Sequence, residues 1–191
     1  MAVREIPSGA PEAFLRASAE VRASVSAPSM RPEVEFEEVP APQRIAPYAL
    51  ALSADVVLDD EELATGRFVL LHDPSEPESW EGPFRIVSFV KAALEPEMGA
   101  DPMLGQVGWS WLTDALADDS AGHLAAGGTV TRVLSETFGE LAGPAGTVDI
   151  EIRASWTPLG PLGAHLTAWA TLLCTVAGLP PLPPGVTALR R

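Results

Sequence analysis

From Thr147 to Trp156 the character of the side chain changes at every step. Val148, Ile150, Ile152, Ala154 and Trp156 hold one parity, and Asp149, Glu151, Arg153 and Ser155 hold the other. A period of two lays one row on a dry face of a β-strand and the other on a wet face. Strands buried on both sides, as in parallel α/β sheets, read instead as unbroken apolar runs, so this segment points to an antiparallel sheet with one solvated side. Any fold open to the chain must supply that sheet and a cover for its dry face.

Other segments fill in the sheet. Tyr48, Leu50, Leu52, Ala54, Val56 and Leu58 alternate in the same way, and the acidic run Asp59 to Glu62 is expected to close that strand as a turn. Arg67 to His72 (RFVLLH) and Pro83 to Leu94 are apolar on both parities, which places them centrally, with the turn-rich Asp73 to Gly82 between them. Glu33 to Val39 reads as a short acidic edge strand with Val34 and Phe36 inward, followed by an extended crossing forced by Pro40, Pro42 and Pro47. Thr129 to Ser135 is the expected hairpin partner of the alternating strand, across the loop Gly139 to Gly146.

Three helices are expected. Pro11 to Val25 sets Phe14, Ala17, Val21 and Val25 near one face. Asp101 and Pro102 signal a second start, but Gly105 and Gly108 make poor helix, which leaves Trp109 to Ala117 as its firm part. The third, Leu162 to Ala177, lines up Leu166, Trp169, Leu173 and Val176 and stops at Gly178 and Pro180. The order α-β-β-β-β-α-β-β-α defines an α+β fold, a largely antiparallel sheet of about five to six strands with three helices packed on it. With 191 residues there is enough chain for one core. The expected layout is a disordered N-terminus over 1–10, a single domain over 11–180 and a proline-rich tail over 181–191.

Charge narrows the partners. Asp and Glu number 26 against 12 Lys and Arg, a net −14. That field repels polyanions, so neither nucleic acid nor an anionic membrane is an expected partner. Cys174 stands alone, which excludes a disulfide within the chain and fits a reducing compartment. The segment MAVREIPSGAPEAF lacks the apolar core of a secretory signal, and no run of about 18 apolar residues could span a bilayer. A soluble cytoplasmic protein is the expectation.

The residue types that do chemistry are present but not arranged for it. Cys174 follows His165 by nine residues in one helix, so at about 100° per residue the two point in opposite directions. Leu172, Leu173 and Val176 surround the thiol and mark it as an inert packing residue. His72, His123 and His165 show no metal-ligand spacing. An enzyme would require a site assembled from distant residues such as His72, Asp73 and His123. The acids at Asp59 to Glu62 and Asp118-Asp119 read as solvated turns, and no phosphate loop or serine elbow occurs. Catalytic residues, cofactors and metal ligands are therefore left unassigned.

Two constellations remain. Arg67, Arg85, Lys91, Arg132 and Arg153 are five of the twelve basic residues, and all sit inside expected strands. With Val69, Leu71, Val87 and Phe89 beside them, neighbouring strands would show an apolar centre fringed by basic side chains. The ordinary reading is cross-strand pairing with Asp55, Asp149 and Glu151. The functional reading is a docking surface for an acidic peptide, a subunit or an anionic ligand. The second constellation is a small-ligand pocket between the last helix and the sheet, lined by Trp111, Trp156 and Trp169. The PPLPP tail is expected to lie as a strap over the fold.

The segments RPEVEFEEVPAPQRIAPYALALSADV, ELATGRFVLLHDP, LEPEMGADP with VGWSWLTDAL, GTVTRV, VDIEIRASWTP and LLCTVAGLPPLPPGV follow one another in order. Over about Arg31 to Val186 they resemble an actinobacterial family catalogued as domain of unknown function 3000. The resemblance implies no activity and carries over no catalytic role. Genes of that family often neighbour one for a ribonuclease D-like protein, which implies a link to RNA processing and no contact residue. The element order is similar to the secretion-chaperone-like fold, whose members are commonly small, acidic, dimeric binders of peptide segments. Together these readings lead to the expectation of a non-catalytic binding or accessory protein. It would hold a protein partner or a second copy of itself on the mixed apolar and basic sheet face.

Overall fold

The computed structural model describes residues 10–141 and 147–179. The expectations for residues 1–9, for the loop 142–146 and for the tail 181–191 lie outside the described residues. The elements are α1 (Glu12–Ser24), β1 (Val34–Val39), β2 (Tyr48–Leu58), β3 (Glu61–His72), β4 (Phe84–Leu94), α2 (Leu104–Asp118), β5 (His123–Ser135), β6 (Thr147–Pro158) and α3 (Leu162–Val176), with short 3-10 turns between some of them. This is the expected α+β order. Six strands form one antiparallel sheet, β1-β2-β3-β4-β6-β5, so β6 lies between β4 and the edge strand β5.

The alternation seen in the sequence is the alternation of burial. In β6, Val148, Ile150, Ile152, Ala154 and Trp156 are buried, whereas Arg153 is exposed. The dry rows of all six strands join residues of all three helices in one core, whose largest fully buried members include Trp156, Trp169 and Phe68. All three helices thus cover the same face. A bidentate pair from Arg22 to Glu38, at 2.8 and 2.9 Å, ties α1 to β1 and holds the Glu38 carboxyl below its usual range. Glu20 Oε1 accepts the Gly163 N–H at 2.9 Å, which satisfies an otherwise unpaired donor at the start of α3. Among the described residues no helix is long and apolar enough to cross a membrane.

Three expectations about boundaries need correction. The acidic run is not all turn: Asp59 and Asp60 alone make it, with φ of 52° and 66°, and Glu61 and Glu62 already belong to β3. Two left-handed residues give the hairpin twist that adjoining strands require. Helix α2 starts at Leu104 and runs through both glycines. A Cβ on Gly108 would stand 3.0 Å from Ile150 and 3.2 Å from Val130, so close packing of α2 on the sheet outweighs poor helix propensity. Strand β5 is also longer than expected, with a register break between Leu124 and Gly127.

Among the described residues no α-helix packs on the second face of the sheet. At one end the segment 39–49 and Trp80 pack on Ala51, Val69 and Leu71 as a small satellite cluster. Beyond that cluster the described residues leave the face uncovered.

Candidate binding groove

Register decides which side chains share the open face. Arg67 stands opposite Phe89, Phe89 opposite Arg153, and Arg153 opposite Thr129, in one row across β3, β4, β6 and β5. The next row runs Val69, Val87, Ser155, Gly127. These two rows line a groove of about 580 Å³ whose walls also include Ser88, Gly128 and Ala154. Its floor is apolar at Val69, Val87 and Phe89, and Val87 is 37% exposed. Among the described residues it has a floor and no lid.

The basic residues divide into three groups. Arg153 and Lys91 are paired: Arg153 bonds Glu151 at 2.7 Å while its guanidinium lies 4.9 Å over the Phe89 ring, and Lys91 meets Asp149 at 3.0 Å. Arg67 and Arg85 have no carboxylate partner among the described residues. Arg67 donates to the Pro40 carbonyl at 3.1 Å and is otherwise exposed. Arg85 is half-buried and donates to Ser155 Oγ at 2.7 Å and Thr157 Oγ1 at 3.1 Å; burial pulls its guanidinium below the ordinary value. Arg132 does not belong to this face at all. It stands opposite Ile150, on the helix-covered side, and its guanidinium donates to the carbonyls of Asp101 and Gly99 at 2.7 and 3.4 Å.

The expected tryptophan pocket is filled by packing. Trp156 and Trp169 are fully buried, Trp169 lies 5.7 Å from the Phe68 ring and 6.3 Å from Phe36, and the Trp156 Nε1–H donates to His165 Nδ1 at 3.1 Å. Trp111 packs at the margin of the same core. The indoles serve as core between α3 and the sheet, and the groove lies on the opposite face.

The histidines do not gather. His72 is buried, stacks on Phe84 at 4.4 Å and bonds the Pro83 carbonyl through Nδ1 at 3.0 Å. Asp73 turns away from it to accept from Ser75, and those bonds hold its carboxyl below the usual range. His123 bonds the Ala121 carbonyl at 3.0 Å. Its strand is three places across the sheet from that of His72, roughly 14 Å at the usual strand spacing, beyond the reach of a shared acid–base step. Among the described residues no group of three His, Cys, Asp or Glu could hold a metal ion.

Burial pushes the Cys174 thiol up to about 11. At pH 8 it is therefore protonated in the fold and shielded from reagents. Ellman's reagent is expected to label the folded chain negligibly over an hour and to release one equivalent of thionitrobenzoate in denaturant. Prompt labelling of the folded chain would restore the thiol as a candidate nucleophile.

Sequence reasoning missed the β5 wall of the groove. Its signal was the Gly127-Gly128 pair, since glycine inside a strand marks close approach of a backbone or ligand. A Cβ on Gly128 would meet the Arg153 carbonyl and, at 2.9 Å, the Trp109 ring, whereas one on Gly127 would meet nothing within 4 Å.

A family model described as "Protein of unknown function (DUF3000)" matches residues 10–187. No curated protein and no solved structure matches the chain.

Proposed function

The chain belongs to the DUF3000 family, which brings no activity to transfer, and on its own geometry we propose a non-catalytic binding protein. It holds a protein partner on the uncovered face of its sheet. The segment that fits is extended, apolar and acidic.

One observation carries this reading: Arg67 and Arg153 flank Phe89 across an apolar groove in a chain of net charge −14. Guanidinium groups fork onto carboxylates, and two of them two strands apart, about 10 Å, could each take one. Among the described residues Arg67 has no carboxylate partner, so a guest carboxylate displaces none of them there. A groove that the described residues leave unroofed suits a chain laid across it better than an enclosed metabolite.

Fluorescence anisotropy with two labelled peptides, one alternating leucine with glutamate and one alternating leucine with lysine, tests the proposal. The glutamate peptide is expected to bind at least tenfold more tightly, about 1.4 kcal/mol. Arg67→Glu with Arg153→Glu should abolish that preference while the circular dichroism spectrum stays unchanged. Equal binding of both peptides would overturn the reading.

A further inference from the structure

The two edges of the sheet are guarded very differently. Strand β1 has six residues, three of them glutamate, between Pro32 and Pro40. Strand β5 has thirteen residues, with Arg132 its only Asp, Glu, Lys or Arg, and that side chain is folded back on two carbonyls. The break between Leu124 and Gly127 blunts one end of β5, and from Gly127 to Ser135 its pairing with β6 is regular. Among the described residues no strand pairs with the outer side of this stretch, a row of backbone donors and acceptors that another strand can meet. Large apolar side chains accompany it: Leu134 is 67% exposed and Phe138, just beyond, 77%.

We propose that β5 pairs antiparallel with β5 of a second copy, about a two-fold axis through Thr131, to give a twelve-stranded sheet. In that register Thr131 faces Thr131, Thr129 faces Val133, and Arg132 faces Val130, so no like charges oppose. Leu134 faces Gly128 of the second copy, where the missing side chain leaves the Trp109 ring as an apolar seat. The knob and its recess are on the same strand, which is what an isologous contact requires. The C-terminal segment is a poorer occupant. Cys174, near the end of α3, lies close enough to Arg31 and Glu33 to feel their charges, so the chain leaves α3 at the β1 edge, on the far side of the sheet. Prolines 180, 181, 183 and 184 also lack the N–H that strand pairing needs.

The dimer keeps all helices on one side and both grooves on the other, and it does not depend on what the grooves bind. Its seam holds one arginine from each copy, bonded back to carbonyls of its own chain, while each copy carries −14, so association should strengthen with salt as the long-range repulsion is screened.

Sedimentation velocity of the full chain over a concentration series, at low and high salt, is the test. The dimer is expected, with a lower Kd at high salt. Thr131→Lys alone and Thr131→Glu alone each place like charges face to face and should raise Kd at least tenfold, and an equimolar mixture of the two should recover the dimer as a heterodimer. Leu134→Glu should weaken it as well, whereas Arg67→Glu should leave it intact. A monomer at every concentration, or unchanged dimerisation by Thr131→Lys, overturns the proposal. Protection from hydrogen exchange of those β5 amides that point away from β6, in a strict monomer, would also overturn it, since the edge would then be covered by the chain itself.

Discussion

Alanine in place of His165 is expected to lower the melting temperature by roughly 10 °C, equivalent to about 3 kcal/mol. His165 is fully buried in α3, and its ring is committed at both nitrogens. Nδ1 accepts from Trp156 Nε1–H at 3.1 Å, so Nε2 carries the proton and donates to the Leu159 carbonyl at 3.2 Å. Truncation leaves the indole N–H without a partner in the core and opens a cavity beside the largest side chain of β6. The same geometry fixes a pH dependence. Burial lowers the His165 pKa, so the folded chain keeps the ring neutral where the unfolded chain, with an ordinary value near 6.5, takes up a proton. Stability is then complete above about pH 6.5 and falls as the pH drops below it, by up to about 1.4 kcal/mol per unit. The carboxyls of Glu33 and Glu38, held low by Arg31 and Arg22, lose their contribution only nearer pH 4. Denaturant unfolding between pH 7.5 and 5.5 checks this: the wild-type midpoint should fall, and that of His165→Ala should stay flatter. An equal slope for both would refute the assignment.

Gly66→Ala should destabilise the fold by about 2–3 kcal/mol, even though one methyl group is added in the middle of a strand. The new Cβ would stand 2.7 Å from Cζ2 of Trp169, 2.8 Å from the Phe89 carbonyl and 3.1 Å from Cδ1 of Leu173. One of these neighbours is backbone and another is a fully buried indole, so neither can yield cheaply. The control is Gly105→Ala in α2. Nothing lies within 4 Å of that Cβ, and alanine there should stabilise by about 0.5–1 kcal/mol through helix propensity. Opposite signs for the two substitutions are the result to look for in urea unfolding, and a neutral Gly66→Ala would mean that α3 can lift off the sheet.

What could be read from the sequence depended on whether a strand announces its own face. The alternation through β6 and β2 was enough to place their buried rows, because apolar and polar residues never share a parity in β6, and in β2 one parity is apolar throughout while Ser53 and Asp55 fall on the other. Strand β5 carries no such signal: Thr129, Thr131 and Val133 on one side are scarcely more polar than Val130, Arg132 and Leu134 on the other. Its face is set only by register against β6, where Thr129 meets Arg153 and Arg132 meets Ile150. Arg132 was therefore grouped with residues on the opposite side of the sheet. Similarly, the three tryptophans carried two equally good meanings, core and pocket, and only the position of α3 over Phe68 and Trp156 chose between them. Half of the groove was legible, namely Arg67, Val69, Val87, Phe89 and Arg153. The half built on Gly127 and Ser155 was not, since an absent side chain and a small hydroxyl leave little trace in composition.

The placement of β6 also bears on how the chain reaches this state. β2, β3 and β4 are each neighbours of the strand before them, so that meander can zip from local turns. β4 must wait for a strand that arrives after a whole helix and another strand, and Arg85 and Ser155, bonded in the finished sheet, are 70 residues apart. Closing so wide a loop comes late in assembly. Until it happens β4 is a bare edge with apolar side chains on both sides, and the strand that announces the fold most clearly in the sequence is the one whose docking ends that window for mispairing.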